Sequence, residues 1–530
     1  MTVRPGRERR GLRLLVKGVP GVAALTVLAA SASMIAPAGA LASVSASASV
    51  SALASVSAFA ESPQPGTPAY RERDAQNQRD AWGRIFGPGG QLRSLPYLTA
   101  LATQVGPKTL ADWADQARRL NRPSVTLGMI FPPANLGNPL REGWSGRRGR
   151  AVPISYTNRY GALIKGTMYA PLPGARDPYT GVRHSGPFPG VVITTGSVQG
   201  TERMYTWLAQ DLAERGYVVM TYDVQGQGRS ETLPHQGPVE DLPLCDPSAA
   251  PLPGEQSGCP GVISQQGANF RYGTEDALSF FQSTPASPWR NPGAGSASVD
   301  SHNPLWQLYD RSPDTRSVTP GRTSRIAVIG HSYGAAAVSY LQTVDSRIQT
   351  VVALDKLGLR SDKAWPVGKP VVPALALQAD YSFLPQAYDS CEGCSPDKAP
   401  DPYRERKTGY DTWAAANVDS MLVVPRAATH LDYTDIPLVL PASRYGQALS
   451  SVYTQAWLAK YLKHDPAADD VLLGQSFRYL EPVAVGQWAP VTLRRNDQLS
   501  FYHCSAYRFR RAADGSLAEN PDLGKVGCTR

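Results

Sequence analysis

Five short apolar, β-prone runs recur through the middle of this 530-residue chain, with helical stretches between them. They are Gly190–Thr195, Tyr217–Asp223, Arg325–Ile329, Ile348–Leu354 and Pro373–Gln378. None alternates apolar with polar residues, so each reads as a strand buried on both faces. Glu202–Arg215 has helical spacing, with Tyr205, Leu208, Leu212 and Ala213 on one face. Thr274–Gln282 and Ala335–Leu341 also read as helices, and Met421–Val424 as a further strand before a long amphipathic helix over Tyr445–Leu462. Strands alternating with helices predict an α/β fold, a mostly parallel central sheet with helices on both faces. Upstream, Val152–Tyr156 and Leu163–Tyr169 flank a turn at Asn158–Gly161 and predict a hairpin.

The first sixty residues stand outside this pattern. Arg4, Arg7, Arg9, Arg10, Arg13 and Lys17 form a positive head, and no charge follows from Gly18 to Ala60. Ala38-Gly39-Ala40 offers the small-x-small pattern cut by a signal peptidase. A secretory signal over 1–40 is expected, then a Ser/Ala-rich leader and linker at 41–66, with Arg9-Arg10 allowing the twin-arginine route. Pro20, Gly21, Pro37 and Gly39 break up the apolar stretch, so no stable membrane span is expected in a mature, exported protein. Of the net charge of +9, this head supplies +5 (six bases and Glu8), leaving +4 for the other 490 residues. That is no nucleic-acid footprint.

Residues 67–150 are expected to form a helical N-terminal segment, through Arg71–Phe86 and Thr109–Leu120. The catalytic domain is placed at 151–470 and a C-terminal extension at 471–530. Two connections, 231–270 and 283–323, are overlong and rich in Pro, Gly and Ser, lengths that are uncommon unless functional. The first carries Leu233, Leu242, Leu244 and Leu252; the second carries Trp289 and Trp306. Both are expected at the rim of the site, though the tryptophans also suit a loop anchor. Export makes disulfides the natural reading of six cysteines, and sequence neighbours suggest 245–259, 391–394 and 504–528. Cys391-Glu-Gly-Cys394 as a redox pair lacks a following helix, and a zinc site lacks a second matched pair.

The chemistry centres on Gly330-His331-Ser332-Tyr333-Gly334, between a predicted strand and a predicted helix. That is the setting of a nucleophile elbow, in which the serine occupies a strained turn at a helix N-terminus. An acid and then a histidine should follow in the chain. Of the seven histidines, His184, His235 and His302 precede the elbow and His331 adjoins the serine. His464 sits by charged Lys463 and Asp465, and His503 lies in the tail. His430, in a loop after the Met421–Val424 strand, is the expected base. Asp380, ending the Pro373–Gln378 run, is the expected acid, with Asp355 on the preceding strand as rival.

With the elbow, Tyr222-Asp223-Val224-Gln225-Gly226-Gln227-Gly228-Arg229-Ser230 resembles the strand-4 signature of the α/β-hydrolase superfamily, Asp-x-Arg-Gly-x-Gly-x-Ser. Gln225 stands where Arg is common, a change expected to affect loop packing. Thr195-Gly196-Ser197 stands where that family has His-Gly-x. The resemblance covers about 150–465 and implies an α/β-hydrolase fold, with oxyanion donors from the backbone N–H groups of Ser197 (or its neighbour Val198) and Tyr333. It implies acyl transfer: His430 deprotonates Ser332, the acid orients His430, and water cleaves the acyl-enzyme. No metal or organic cofactor is required by such chemistry. A secreted serine esterase or lipase-like enzyme, acting on small-molecule, lipid or polymer esters, is the leading expectation. A serine peptidase is the alternative, with Glu231, Glu240 or Asp241 to hold a substrate amine. A non-catalytic secreted binding module is the reading from another class, and the presence of all three triad residues speaks against it.

Overall fold

The computed structural model describes residues 63–118, 136–159, 162–197, 200–231, 267–290, 301–359, 368–387, 394–438 and 442–529. The expected signal and leader, nearly all of the first insertion, Val198, Cys245, Cys259 and Cys391 lie outside the described residues. The described residues belong to a unit spanning Phe59–Arg530.

The hairpin forms as expected, from β1 (Gly149–Thr157) and β2 (Leu163–Pro171), paired antiparallel. β3 (Gly190–Thr194), β4 (Val218–Tyr222), β5 (Ile326–His331), β6 (Ile348–Leu354), β7 (Ala374–Leu377) and β8 (Ser420–Val423) follow. With β11 (Ala506–Arg510) and β12 (Leu517–Asn520) they build one ten-stranded sheet in the order β1-β2-β4-β3-β5-β6-β7-β8-β11-β12. The block from β4 to β8 is parallel, and the pairs at either edge are antiparallel. The fold is thus α/β with a mostly parallel, mixed sheet.

Both faces of the sheet are buried. Val192, Met220, Val328 and Val351 belong to the main core, and their neighbours Val191, Val219, Ile329 and Val352 are equally enclosed. Successive strand side chains point to opposite faces, so two apolar layers are needed to cover them. Helices α4 (Gly267–Gln282) and α5 (Tyr333–Val344) pack on each other; α4 lies against β3, and α5 against β3, β5 and β6. Helix α3 (Thr206–Glu214) packs on β2 and β4, and α6 (Gly446–Leu458) touches α3 and β7.

The flanking segments are knitted to this body. Tyr70 and Ala81 of α1 (Pro68–Ala81) form a small core with Tyr381, Ala387, Ala427 and Tyr502. Helix α2 (Leu95–Arg118) buries Tyr97, Ala100 and Leu101 against Leu136 and Leu140. The C-terminal residues supply β11 and β12 of the main sheet, and β9 (Ser476–Ala484) and β10 (Gln487–Arg494) form a separate ribbon. Cys504 and Cys528 form a disulfide that brackets β11 and β12, and Cys394 is also disulfide-bonded.

Residues 291–300 of the second insertion lie outside the described residues, and its described part is tied to the N-terminal side of β3. Phe188, two residues before β3, donates its N–H to Leu308 O (2.7 Å) and accepts from Asp310 N–H (2.8 Å). This part of the insertion therefore lies at the N-terminal end of β3, away from the strand ends that carry the candidate site. Trp289 donates to the carbonyl of Thr157 (2.7 Å) and packs on the core, so it anchors the loop rather than lining a rim. Among the described residues, no helix is long and apolar enough to cross a membrane.

Candidate active site

Ser332 follows the last residue of β5 and immediately precedes α5. Its backbone holds φ 54° and ψ −116°, a conformation that costs a non-glycine residue roughly 1–3 kcal/mol. Its N–H is tied to Leu354 O (2.9 Å) at the end of β6, which helps to over-determine the turn. The flanking glycines are demanded by space. A Cβ on Gly330 would lie 2.2 Å from the carbonyl oxygen of Gly334, and one on Gly334 would lie 2.5 Å from that of Thr195.

His430 opens a short turn of 3-10 helix, His430–Tyr433, capped by Thr429 and Asp432. Its N–H donates to Ser382 O (2.9 Å), and its Nδ1 lies 2.5 Å from Oδ2 of Asp355. Asp355 follows β6 directly, and its Oδ1 accepts from Ala379 N–H (3.2 Å). Its φ is 40°, a second left-handed backbone in the site. Burial on its own raises the carboxyl pKa of Asp355, but the His430 hydrogen bond and charge, with Lys356 behind, hold it below the ordinary value. An ionised carboxylate only accepts, so Nδ1 carries a hydrogen; in the neutral imidazole the lone pair a base needs is then on Nε2.

The carboxylate paired with His430 is Asp355, and not Asp380 as expected. Asp380 lies three residues beyond the end of β7 and is fully enclosed. Its Oδ2 accepts from Asn77 Nδ2 (2.9 Å) and Ala427 N–H (2.9 Å), and its Oδ1 from the Ser500 hydroxyl. Burial raises its pKa, against the pull of the bonds from Ser500 and Asn77. The carboxylate thus staples α1, the C-terminal segment and the loop leading to His430.

Tyr333 follows Ser332 directly as the first residue of α5, and Ser197 lies in the loop that follows β3. A Cβ on Gly196 would come within 3.2 Å of Ser332 Cβ, which places the loop after β3 beside Ser332. Gln227, in the strand-4 signature, donates to Gly196 O (2.9 Å) and so braces that loop. Within the same signature Asp223 accepts from Glu202 N–H (2.7 Å) and Arg229 N–H (2.9 Å). Gln225 accepts from Asn158 Nδ2 (2.6 Å), a loop-packing contact.

Phe383 was not singled out by sequence. Its ring centroid sits 4.7 Å from that of His430, yet the residue is 50% exposed, with Leu384 beside it at 40%. This is an apolar shoulder at the mouth of the site. Nothing in the sequence marks it, since a Phe-Leu pair in a loop reads as packing. Among the described residues, no group of three or more His, Cys, Asp or Glu converges as a metal site requires. No protein-family model and no curated protein matches the chain.

Proposed function

We propose that the chain is a secreted serine hydrolase of the α/β-hydrolase fold that cleaves carboxylic esters through an acyl-enzyme. The observation that carries this reading is the Asp355–His430 hydrogen bond (2.5 Å) in the loops that follow β6 and β8, with a left-handed Ser332 ending the neighbouring β5. The strand order supports the fold: an antiparallel β2 beside β4, then β3, β5, β6, β7 and β8 in parallel, with the serine between β5 and the following helix.

In the reaction, His430 Nε2 takes the proton from the Ser332 hydroxyl as its oxygen attacks the ester carbonyl. Asp355 holds the imidazole in the needed tautomer and stabilises the imidazolium that forms. The N–H groups of Ser197 and Tyr333 receive the oxyanion, each worth about 3 kcal/mol of barrier. His430 returns the proton to the leaving alcohol, then activates the water that cleaves the acyl group from Ser332.

Phe383 and Leu384 favour an apolar acyl or alcohol group next to the base. The peptidase alternative loses one of its candidate amine ligands. Glu231 is buried, and its Oε2 accepts from Leu163 N–H (2.8 Å) at the start of β2. Glu240 and Asp241 lie outside the described residues. A panel of p-nitrophenyl esters against aminoacyl-p-nitroanilides tests the choice. Turnover of the esters at rates well above the anilides supports the esterase reading, and the reverse ranking overturns it.

A further inference from the structure

His331 precedes the nucleophile and is not part of the proposed triad, yet it is wholly buried at the centre of the site. Its Nε2 lies 3.0 Å from the carbonyl oxygen of His430, and its Nδ1 lies 2.7 Å from the hydroxyl of Tyr205. That hydroxyl in turn accepts the N–H of Gly196 at 2.9 Å. Tyr205 is itself fully buried, at the end of the turn Glu202–Tyr205 that follows the loop after β3.

With a neutral His331 ring, the ends of this chain set the direction of every bond in it. The Gly196 N–H can only donate, so the Tyr205 oxygen accepts and its single hydrogen is left for His331 Nδ1. The His430 carbonyl can only accept, so His331 Nε2 must carry a hydrogen. One hydrogen on Nε2 and a lone pair on Nδ1 describe a neutral imidazole with no bonding capacity unused. Burial, reinforced by the neighbouring His430, pushes the His331 pKa down to about 3, which keeps the ring in that form. The rings of His331 and His430 also touch, with centroids 4.7 Å apart and planes tilted by 34°.

We infer that Tyr205 and His331 are positioning residues that lock the oxyanion loop to the backbone of the catalytic histidine. This rests on the serine-hydrolase reading and adds to it. The chain Gly196–Tyr205–His331–His430 joins the loop after β3, the residue beside the nucleophile and the base loop after β8. Gly196 N–H is committed to Tyr205 and so is not itself a donor to the oxyanion. The two residues touch neither substrate nor reacting atoms; they act by holding the groups that do.

The test uses Tyr205→Phe, His331→Leu, His331→Gln and the double variant Tyr205→Phe/His331→Leu in the full chain. Rates are measured per competent site, counted by the end point of titration with a fluorophosphonate, so that loss of folded protein is divided out. Tyr205→Phe and His331→Leu should each lower kcat by about 10- to 100-fold, the scale of a small misplacement of catalytic groups, with KM within about 2-fold. His331→Gln keeps an acceptor and a donor and should recover part of the loss. The double variant should be no slower than His331→Leu alone, because one chain is broken only once. Per-site rates equal to wild type, or losses that multiply in the double variant, would overturn the positioning role. Failure of the wild-type protein to form a Ser332 adduct would instead remove the hydrolase reading beneath it.

Discussion

Asp355 Oδ2 lies 2.5 Å from Nδ1 of His430, although the two residues are separated by a complete strand, β7, in the sheet. The loop after β8 crosses the end of β7 to reach the end of β6. The backbone beyond β7 assists the crossing: Ala379 N–H supports Asp355, Tyr381 N–H donates to Ala428 O (2.9 Å), and Ser382 O accepts from His430 N–H (2.9 Å).

Asp355→Asn is therefore expected to lower kcat by about 10³- to 10⁴-fold, because the amide leaves His430 in the wrong tautomer. Asp380→Asn should leave per-site kcat within about 10-fold of wild type, since that carboxylate orients a loop and not the base. Steady-state kinetics on one ester with both variants decides. A larger loss at Asp380 would return the acid to β7.

Asp380 should matter for stability instead. Asp380→Ala leaves Asn77, Ser500 and the Ala427 N–H without their shared acceptor in a sealed site. Each orphaned buried group costs about 1–3 kcal/mol. Urea unfolding should show a lower midpoint, and Asn77→Ala combined with Asp380→Ala should cost less than the two single changes added. Strict additivity would mean the groups do not act together.

Asp432 gives the stability a pH dependence of definite sign. Burial pushes its carboxyl up to about 7, against the pull of Arg84 and of the N–H bonds from Ser443 and Thr429. The folded value lies above the unfolded one of about 4, so the folded chain holds a proton the unfolded chain releases. The stabilisation is complete below about pH 4 and is lost as pH rises to about 7, by at most roughly 4 kcal/mol. Asp432→Asn mimics the neutral form and should show a smaller loss of unfolding free energy between pH 5 and pH 8 than wild type. Identical slopes would show that Asp432 is ionised across the range.

Phe383→Ala should change substrate choice. With the exposed ring beside His430 removed, kcat/KM for long-chain p-nitrophenyl esters is expected to fall about 10-fold relative to the acetate, the scale of a lost apolar contact. An unchanged chain-length profile would place the apolar group elsewhere.

The strands β3 to β8 were legible because strands buried on both faces cannot be polar on either, and with them the places of Ser332 and His430 beyond strand ends. The acid was not. Asp355 and Asp380 both end apolar strands, and only the path of the loop across β7 separates them. The sheet extension by β11 and β12 was also hidden. Tyr507 and Arg508 of β11 are only half-buried, so the segment carries no apolar run. Tyr205 was legible as one apolar face of a helix, while the use of its hydroxyl depends on His331, far off in sequence. For the second insertion the sequence left two readings of Trp289, rim or loop anchor, and its bond to Thr157 O, which favours the anchor, is a tertiary fact.

The most direct measurement is the intact mass of the protein, with peptide mapping, after treatment with a fluorophosphonate. The attack that forms the adduct needs a deprotonated Ser332, a neutral His430 and an oxyanion site together. One phosphonyl group per chain, located on Ser332 and lost in both Ser332→Ala and His430→Ala, is the expected result. A folded wild-type protein that takes up no label, or takes it up on another residue, would contradict the assignment of Ser332 as nucleophile.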